Sequence, residues 1–135
     1  MLNQTQAREL EGPRRLVARC PAAAEPVFSV CTMVTDRAEY ADMRADFAAH
    51  GFDHETCEFL SIDNSQGNVA DAYVAVNEFL QTAQGQYVVL CHSDIVLLDD
   101  GRARLEECLR QLEADAPFWA IAGNAGMSRS GWPAT

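Results

Sequence analysis

The chain contains no lysine. Its ten basic residues are all arginine, set against twenty acidic ones, for a net charge of −10 over 135 residues. A P-loop needs a lysine on the phosphates, and Schiff-base chemistry needs a lysine amine, so both are excluded. A phospho-receiver domain, another α/β fold with acidic strand tips, depends on a lysine as well. The acidic balance argues against nucleic acid as a partner, because that recognition runs on basic patches. It also repels a bare phosphate, so a phosphate-ester ligand would need a divalent cation to offset the repulsion. Long apolar runs are missing too. No segment approaches the roughly 18 consecutive apolar residues of a membrane helix, and the N-terminus has no apolar stretch like a signal sequence. The five cysteines (Cys20, Cys31, Cys57, Cys91 and Cys108) are odd in number, with no pair at CxxC spacing. Cys31, Cys57 and Cys91 lie in or beside apolar runs, where a free cysteine behaves as a small hydrophobe. This usage points to a reducing compartment, and the chain reads as cytoplasmic. GxGxxG spacing is absent, and Gly123 and Gly126 do not follow the first strand, so dinucleotide binding is rejected.

What is present is ordinary in bulk: 48% hydrophobic and 22% charged residues, enough for one domain with one core. Residues 1–26 are polar and arginine-bearing and close on PAAAEP; they read as an N-terminal extension with a short helix over 6–19 and a linker. From Val27 the pattern alternates. Strands are expected over 27–34, 57–62, 87–92 and 118–122. Asp36 stands three residues before Glu39, a capping-box spacing, ahead of a helix from Arg37 to His50 with Tyr40, Met43 and Phe47 on one face; Gly51 stops it. A second helix is expected from Val69 to about Ala83, with Val69, Ala72, Tyr73, Val76, Leu80 and Ala83 on one face. Asp99, Asp100 and Gly101 open a third, with Leu105, Cys108, Leu109 and Leu112 at helical spacing, ending before Pro117. This order predicts an α/β fold: three layers, α/β/α, around a mainly parallel sheet. Such a sheet normally continues, so residues 27–135 read as the front part of a larger domain.

The most informative stretch is QYVVLCHSD, residues 86–94. An apolar run of this kind reads as a strand buried on both faces, and it ends abruptly in His92, Ser93 and Asp94. The earlier run EFLSI, residues 58–62, ends in Asp63, Asn64 and Ser65. Ligands of open α/β sheets bind outside the carboxyl ends of the strands. An imidazole beside a carboxylate there suits Mn²⁺ or Zn²⁺, and a carboxylate with substrate oxygens suits Mg²⁺. Two ligands do not complete a metal site; substrate phosphates and water would supply the rest. Asp94 equally suits a turn or cap, and His92 a structural hydrogen bond. Asp63 and Asn64 suit a sugar hydroxyl or base edge, or an Asx-turn capping the next helix. Asp71 and Asn77 read as solvated helix residues. Cys91 and His92 are adjacent in a strand and face opposite ways, which argues against a Cys–His nucleophile pair.

These residues resemble the nucleotide-binding half of family-2-type glycosyltransferases of the GT-A fold, from about Phe28 to Gly126. FSVCTMVTD (28–36) looks like the family's first strand, whose tip touches the nucleoside; FLSIDNS (59–65) like the second, ending in the base- or ribose-holding Asp; YVVLCHSD (87–94) like the strand bearing the Asp-x-Asp signature; and FWAIAG (118–123) like the next strand. The resemblance implies a nucleotide site built from Thr32, Val34, Asp36, Asp63, Asn64 and Ser93, with the metal, Mn²⁺ or Mg²⁺, on Asp94 and His92. His92 stands where the signature's first Asp belongs, as in a glycosyltransferase-like subgroup with His-x-Asp. The Pro-x-x-Asn turn common after the first strand is missing, and the catalytic base, a carboxylate much further along, has no counterpart. The implied reaction is displacement of a nucleoside diphosphate from a sugar by an acceptor hydroxyl. The competing expectation is a non-catalytic or incomplete domain of that fold, binding a nucleotide-sugar or a partner protein. A nucleotidyltransferase would need a glycine-rich first loop and a lysine, both absent.

Overall fold

The structure, a computed structural model, describes residues 15–123. These fall into two compact units, residues 15–101 and 102–123. The first unit is an α/β sheet domain with elements β1 (Ala18–Cys20), β2 (Phe28–Val34), α1 (Arg37–Ala49), β3 (Cys57–Asp63), α2 (Ala72–Thr82) and β4 (Tyr87–His92). The second carries α3 (Arg102–Asp115).

The four strands form one mixed sheet in the order β1-β3-β2-β4. β2 runs parallel to β3 on one side and to β4 on the other, while β1 pairs antiparallel with β3. β1 lies within the stretch read as an extension: the helix expected to reach Arg19 gives way to a strand at Ala18, and residues 6–14 of that helix fall outside the described residues. β2 and β3 are the central strands, and their runs are buried almost throughout, as expected. β4 differs from expectation. It is an edge strand, and alternate residues Val88, Leu90 and His92 are exposed. Its apolar run could not reveal this, because burial of a strand's second face depends on what covers it.

Each face of the sheet carries one helix of this unit. Phe28 stacks edge-on with Phe52 at 5.6 Å, and Phe52 meets Phe47 of α1 at 5.2 Å. Met43 and Phe47 are the buried residues of α1, and the Arg44 guanidinium lies 4.5 Å from the Phe59 ring centre. Strand alternation turns Cys31, Leu60 and Ile62 to the opposite face, where they pack with Ala70 and with Ala75 and Phe79 of α2. Capping explains the helix limits. Asp36 accepts hydrogen bonds from Ala38 N–H (2.7 Å) and Glu39 N–H (3.1 Å). At the other end Gly51 has φ of 93°, a conformation that favours glycine, and Gly51 N–H donates to Ala48 O while Phe52 N–H donates to Phe47 O. These two bonds and the Phe47–Phe52 contact form a Schellman motif.

Two further expected elements change. The second helix starts at Ala72, because Asp71 caps it by accepting from Val74 N–H (2.9 Å); Asp71 is a cap and not a solvated mid-helix residue. Its buried residues are Ala75 and Phe79, whereas Val69, Tyr73 and Leu80 of the expected face are 58%, 85% and 57% exposed. The expected strand at 118–122 does not form: Pro117 and Phe118 make a turn, and 119–123 have no regular structure. A β-prone run becomes a strand only beside a pairing strand. α3 itself forms as expected, with ion pairs Arg102–Glu106 (2.8 Å) and Arg104–Glu107 (3.1 Å) one turn apart.

A polar network absent from the sequence reading crosses the amino edge of the parallel strands. Glu58, 1% exposed, accepts from Arg19 on β1, from Ser29 Oγ (2.5 Å) and from Gln84 N–H (2.7 Å). Arg19 also donates to the Thr82 carbonyl, and Gly85 N–H donates to Ser29 Oγ (2.8 Å). Gly85 approaches so closely that a Cβ there would lie 2.6 Å from Ser29 N.

Candidate functional site

The carboxyl ends of β2, β3 and β4 meet on one edge, because all three strands are parallel. Register sets Val34 beside Asp63 and Met33 beside His92, so Asp63 and His92 flank the tip of β2. Strand order also reverses direction here. The chain leaving β2 turns by way of α1 to β3 on one flank, while β4 occupies the other flank. In open α/β sheets ligands bind at such a switch point, which here falls between the tips of β2 and β4.

The tips are tied together by specific contacts. Thr35 Oγ1 and Ser93 Oγ stand 3.3 Å apart, linking β2 to β4. Asn64 N–H donates to Val34 O at 2.8 Å, linking β3 to β2. Arg37, the first residue of α1, reaches Asp63 Oδ2 through Nε (2.8 Å) and Nη2 (2.6 Å), while Asp63 Oδ1 accepts from Ser65 N–H (2.9 Å). Ser65 and, after it, Arg37 hold the Asp63 carboxyl down at about 2. It therefore stays ionised at the tip of β3. Sequence reasoning missed Arg37 and Thr35; adjacency to Asp36 was the one available signal, and it was spent on the cap.

The expected nucleotide residues fall into three situations. Thr32 and Val34 are buried, with Thr32 Oγ1 3.4 Å from Cys91 Sγ, so a ligand would meet β2 at its end and not along these side chains. Asp36 is engaged as the α1 cap. Asn64 organises its own loop: Nδ2 donates to Ala70 O (2.9 Å) and to Asn68 Oδ1 (3.1 Å), and Oδ1 accepts from Val69 N–H (3.0 Å). Ser93 is 3% exposed, with its hydroxyl against Thr35. Asp63, His92 and Asp94 are exposed at this edge, as are Thr35, Asp36 and Arg37.

His92 ends β4 and Asp94 lies in the turn that follows. Among the described residues neither side chain has a hydrogen-bond or ion-pair partner within the chain, so both present their donor atoms to solvent. Among the described residues no group of three or more His, Cys, Asp and Glu gathers as a metal cage. The donor set therefore fits a cation only when oxygens of a ligand and water complete the coordination, as in substrate-bridged Mg²⁺ or Mn²⁺ sites. Among the described residues no helix is long and apolar enough to cross a membrane.

The fold is an open α/β sheet whose parallel strands bring their carboxyl ends to one edge. No family model matches the chain. Over 100 residues, 74% of this chain, it is 37% identical to a protein of Fuscovulum blasticum called ATP synthase subunits region ORF 6. The match covers 40% of that protein, so the chain spans about two-fifths of the length of this curated relative.

Proposed function

We propose that the carboxyl edge binds the diphosphate and nucleoside of a nucleotide-sugar, and that the chain is the donor-binding part of a GT-A-type glycosyltransferase. The observation supporting this most directly is the switch point itself, with ionised Asp63 on one flank of β2 and, on the other, His92 and Asp94, which have no partner among the described residues. Asp63 suits ribose or base donors, held in place by Arg37 and Ser65. His92 and Asp94 would hold Mn²⁺ or Mg²⁺, which when bound offsets charge on a leaving diphosphate. In the reaction an acceptor hydroxyl oxygen bonds to the anomeric carbon, the bond from that carbon to the diphosphate oxygen breaks, and a base removes the hydroxyl proton. The residues described supply the leaving-group side. One observation favours a second reading, a non-catalytic donor-binding domain: the signature has one carboxylate, with His92 in place of the other.

Calorimetry with a panel of nucleoside diphosphates, with Mn²⁺ and then in chelator, tests the site. Binding is expected with metal and to be lost without it. Asp94→Asn should change stability by less than about 1 kcal/mol. Metal-dependent affinity should fall at least about tenfold, or about 1.4 kcal/mol. Unchanged nucleotide affinity in Asp94→Asn rejects the reading. Intact binding with no sugar transfer to any acceptor selects the non-catalytic form.

A further inference from the structure

We propose that His50 and Asp46 form a proton-linked latch that positions the segment leaving the candidate site, gripping residues 95–98 when the imidazole is protonated and loosening when it is neutral. Both residues lie at the C-terminal end of α1, one turn apart. His50 Nδ1 is 2.8 Å from the Asp46 carbonyl oxygen, and Nε2 is 3.3 Å from the Leu98 carbonyl oxygen. Carbonyl oxygens only accept, and a neutral imidazole has a single N–H. Both contacts are hydrogen bonds together only when the ring carries both protons.

The surroundings favour that charged form. Asp46 Oδ1 lies 3.4 Å from Nδ1, and His50 is the C-cap of α1, where the helix dipole favours a cation. Asp46 faces the ring from α1, and the segment itself brings Asp99 and Asp100 directly after Leu98. The Asp46 carbonyl, with help from the Leu98 carbonyl and the Asp46 carboxylate, raises the imidazole's pKa above its ordinary value, partly offset by desolvation. The grip is double, because Asp46 Oδ2 also accepts from Leu97 N–H at 2.7 Å. The segment's end also approaches α1 closely: a Cβ on Gly101 would lie 2.6 Å from the His50 carbonyl oxygen.

The consequence follows from chain order. Residues 95–98 continue without interruption from Asp94, so what fixes Leu97 and Leu98 limits where Asp94 can move. With the folded-state pKa raised, the latch's contribution is complete below about pH 6.5, the ordinary histidine value. It is lost as pH rises through the raised value.

NMR titration of the full chain tests the latch without reference to any ligand. His50 should titrate above the ordinary histidine value, and the backbone amides of residues 95–99 should shift and lose exchange protection with the same midpoint. Asp46→Asn should lower that midpoint, and His50→Gln should abolish the pH response of residues 95–99. The latch is wrong if His50 titrates at or below the ordinary histidine value of about 6.5. It is equally wrong if the 95–99 response persists in His50→Gln, which would assign it to a group other than His50.

Discussion

Glu58 brings a carboxylate into the interior of a sheet and is surrounded by donors: Arg19, Ser29 Oγ and Gln84 N–H. Removing one member of such a set strands the others, and breaking a buried pair costs about 3–5 kcal/mol. Arg19 keeps 26% of its side chain exposed and can recover some hydration. Glu58→Ala should therefore lower stability by about 3 kcal/mol in urea titrations, the low end of that range. A loss within about 0.5 kcal/mol, the scale of ordinary surface changes, would show that the network is incidental. Asp63 behaves differently because it is exposed. Its carboxyl is held at about 2 by Ser65 and Arg37, so the stabilisation it provides is present above the ordinary value of 3.8 and is lost only as pH falls through about 2. In Arg37→Ala the Asp63 midpoint should rise while remaining below the ordinary value, since Ser65 stays; carboxyl NMR titration reads it directly.

At the scale of elements, α2 shows how a helix can have the right period and a different phase. Its residues 72–82 are apolar on several sides, so periodicity marks a helix without choosing the buried stripe. The sheet chose it, by offering Cys31, Leu60 and Ile62 as a surface into which the Phe79 ring fits. Phe79→Ala should cost about 3–5 kcal/mol, whereas Leu80→Ala, at an exposed position, should stay within about 0.5 kcal/mol. Thermal or urea unfolding of the two variants separates the alternatives, and the reverse order would restore the face read from the sequence. β4 follows the same logic. Its inward residues contact β2 and α1, as in the Phe28–Tyr87 ring pair at 5.7 Å, and its other residues remain uncovered.

At the scale of the molecule, charge dominates. A net charge of −10 without lysine repels any polyphosphate, and salt screens that repulsion. Raising ionic strength from about 0.01 to about 0.15 M shortens the screening length from about 30 to about 8 Å. Residual nucleoside-diphosphate binding in chelator should therefore strengthen with salt, while Mn²⁺-dependent binding, which rests on attraction, should weaken. Calorimetry at the two ionic strengths gives the slopes; metal-free binding that weakens with salt would place a cationic site on the phosphates and remove the need for metal.

By itself the sequence determined the three helices, the three parallel strands and the polar tips that close them, because capping residues, Gly51 and buried apolar runs act over a few neighbours. Asp36 and Gly51 bound α1 as their chemistry demands, and Asp63 ends one parallel strand while Asp94 follows another, as the α-β alternation requires. Tertiary structure alone decided the rest. That β1 joins the sheet, that β4 is an edge, that α2 buries Phe79 and that residues 118–122 form no strand are all matters of which distant surface is available. The same holds at the site. Arg37 reaches Asp63 across 26 residues, Thr35 reaches Ser93 across 58, and His50 reaches Leu98 across 48. Such pairs carry no local signature, since each residue is ordinary in its own neighbourhood and gains its role only when parallel strand order brings the tips together.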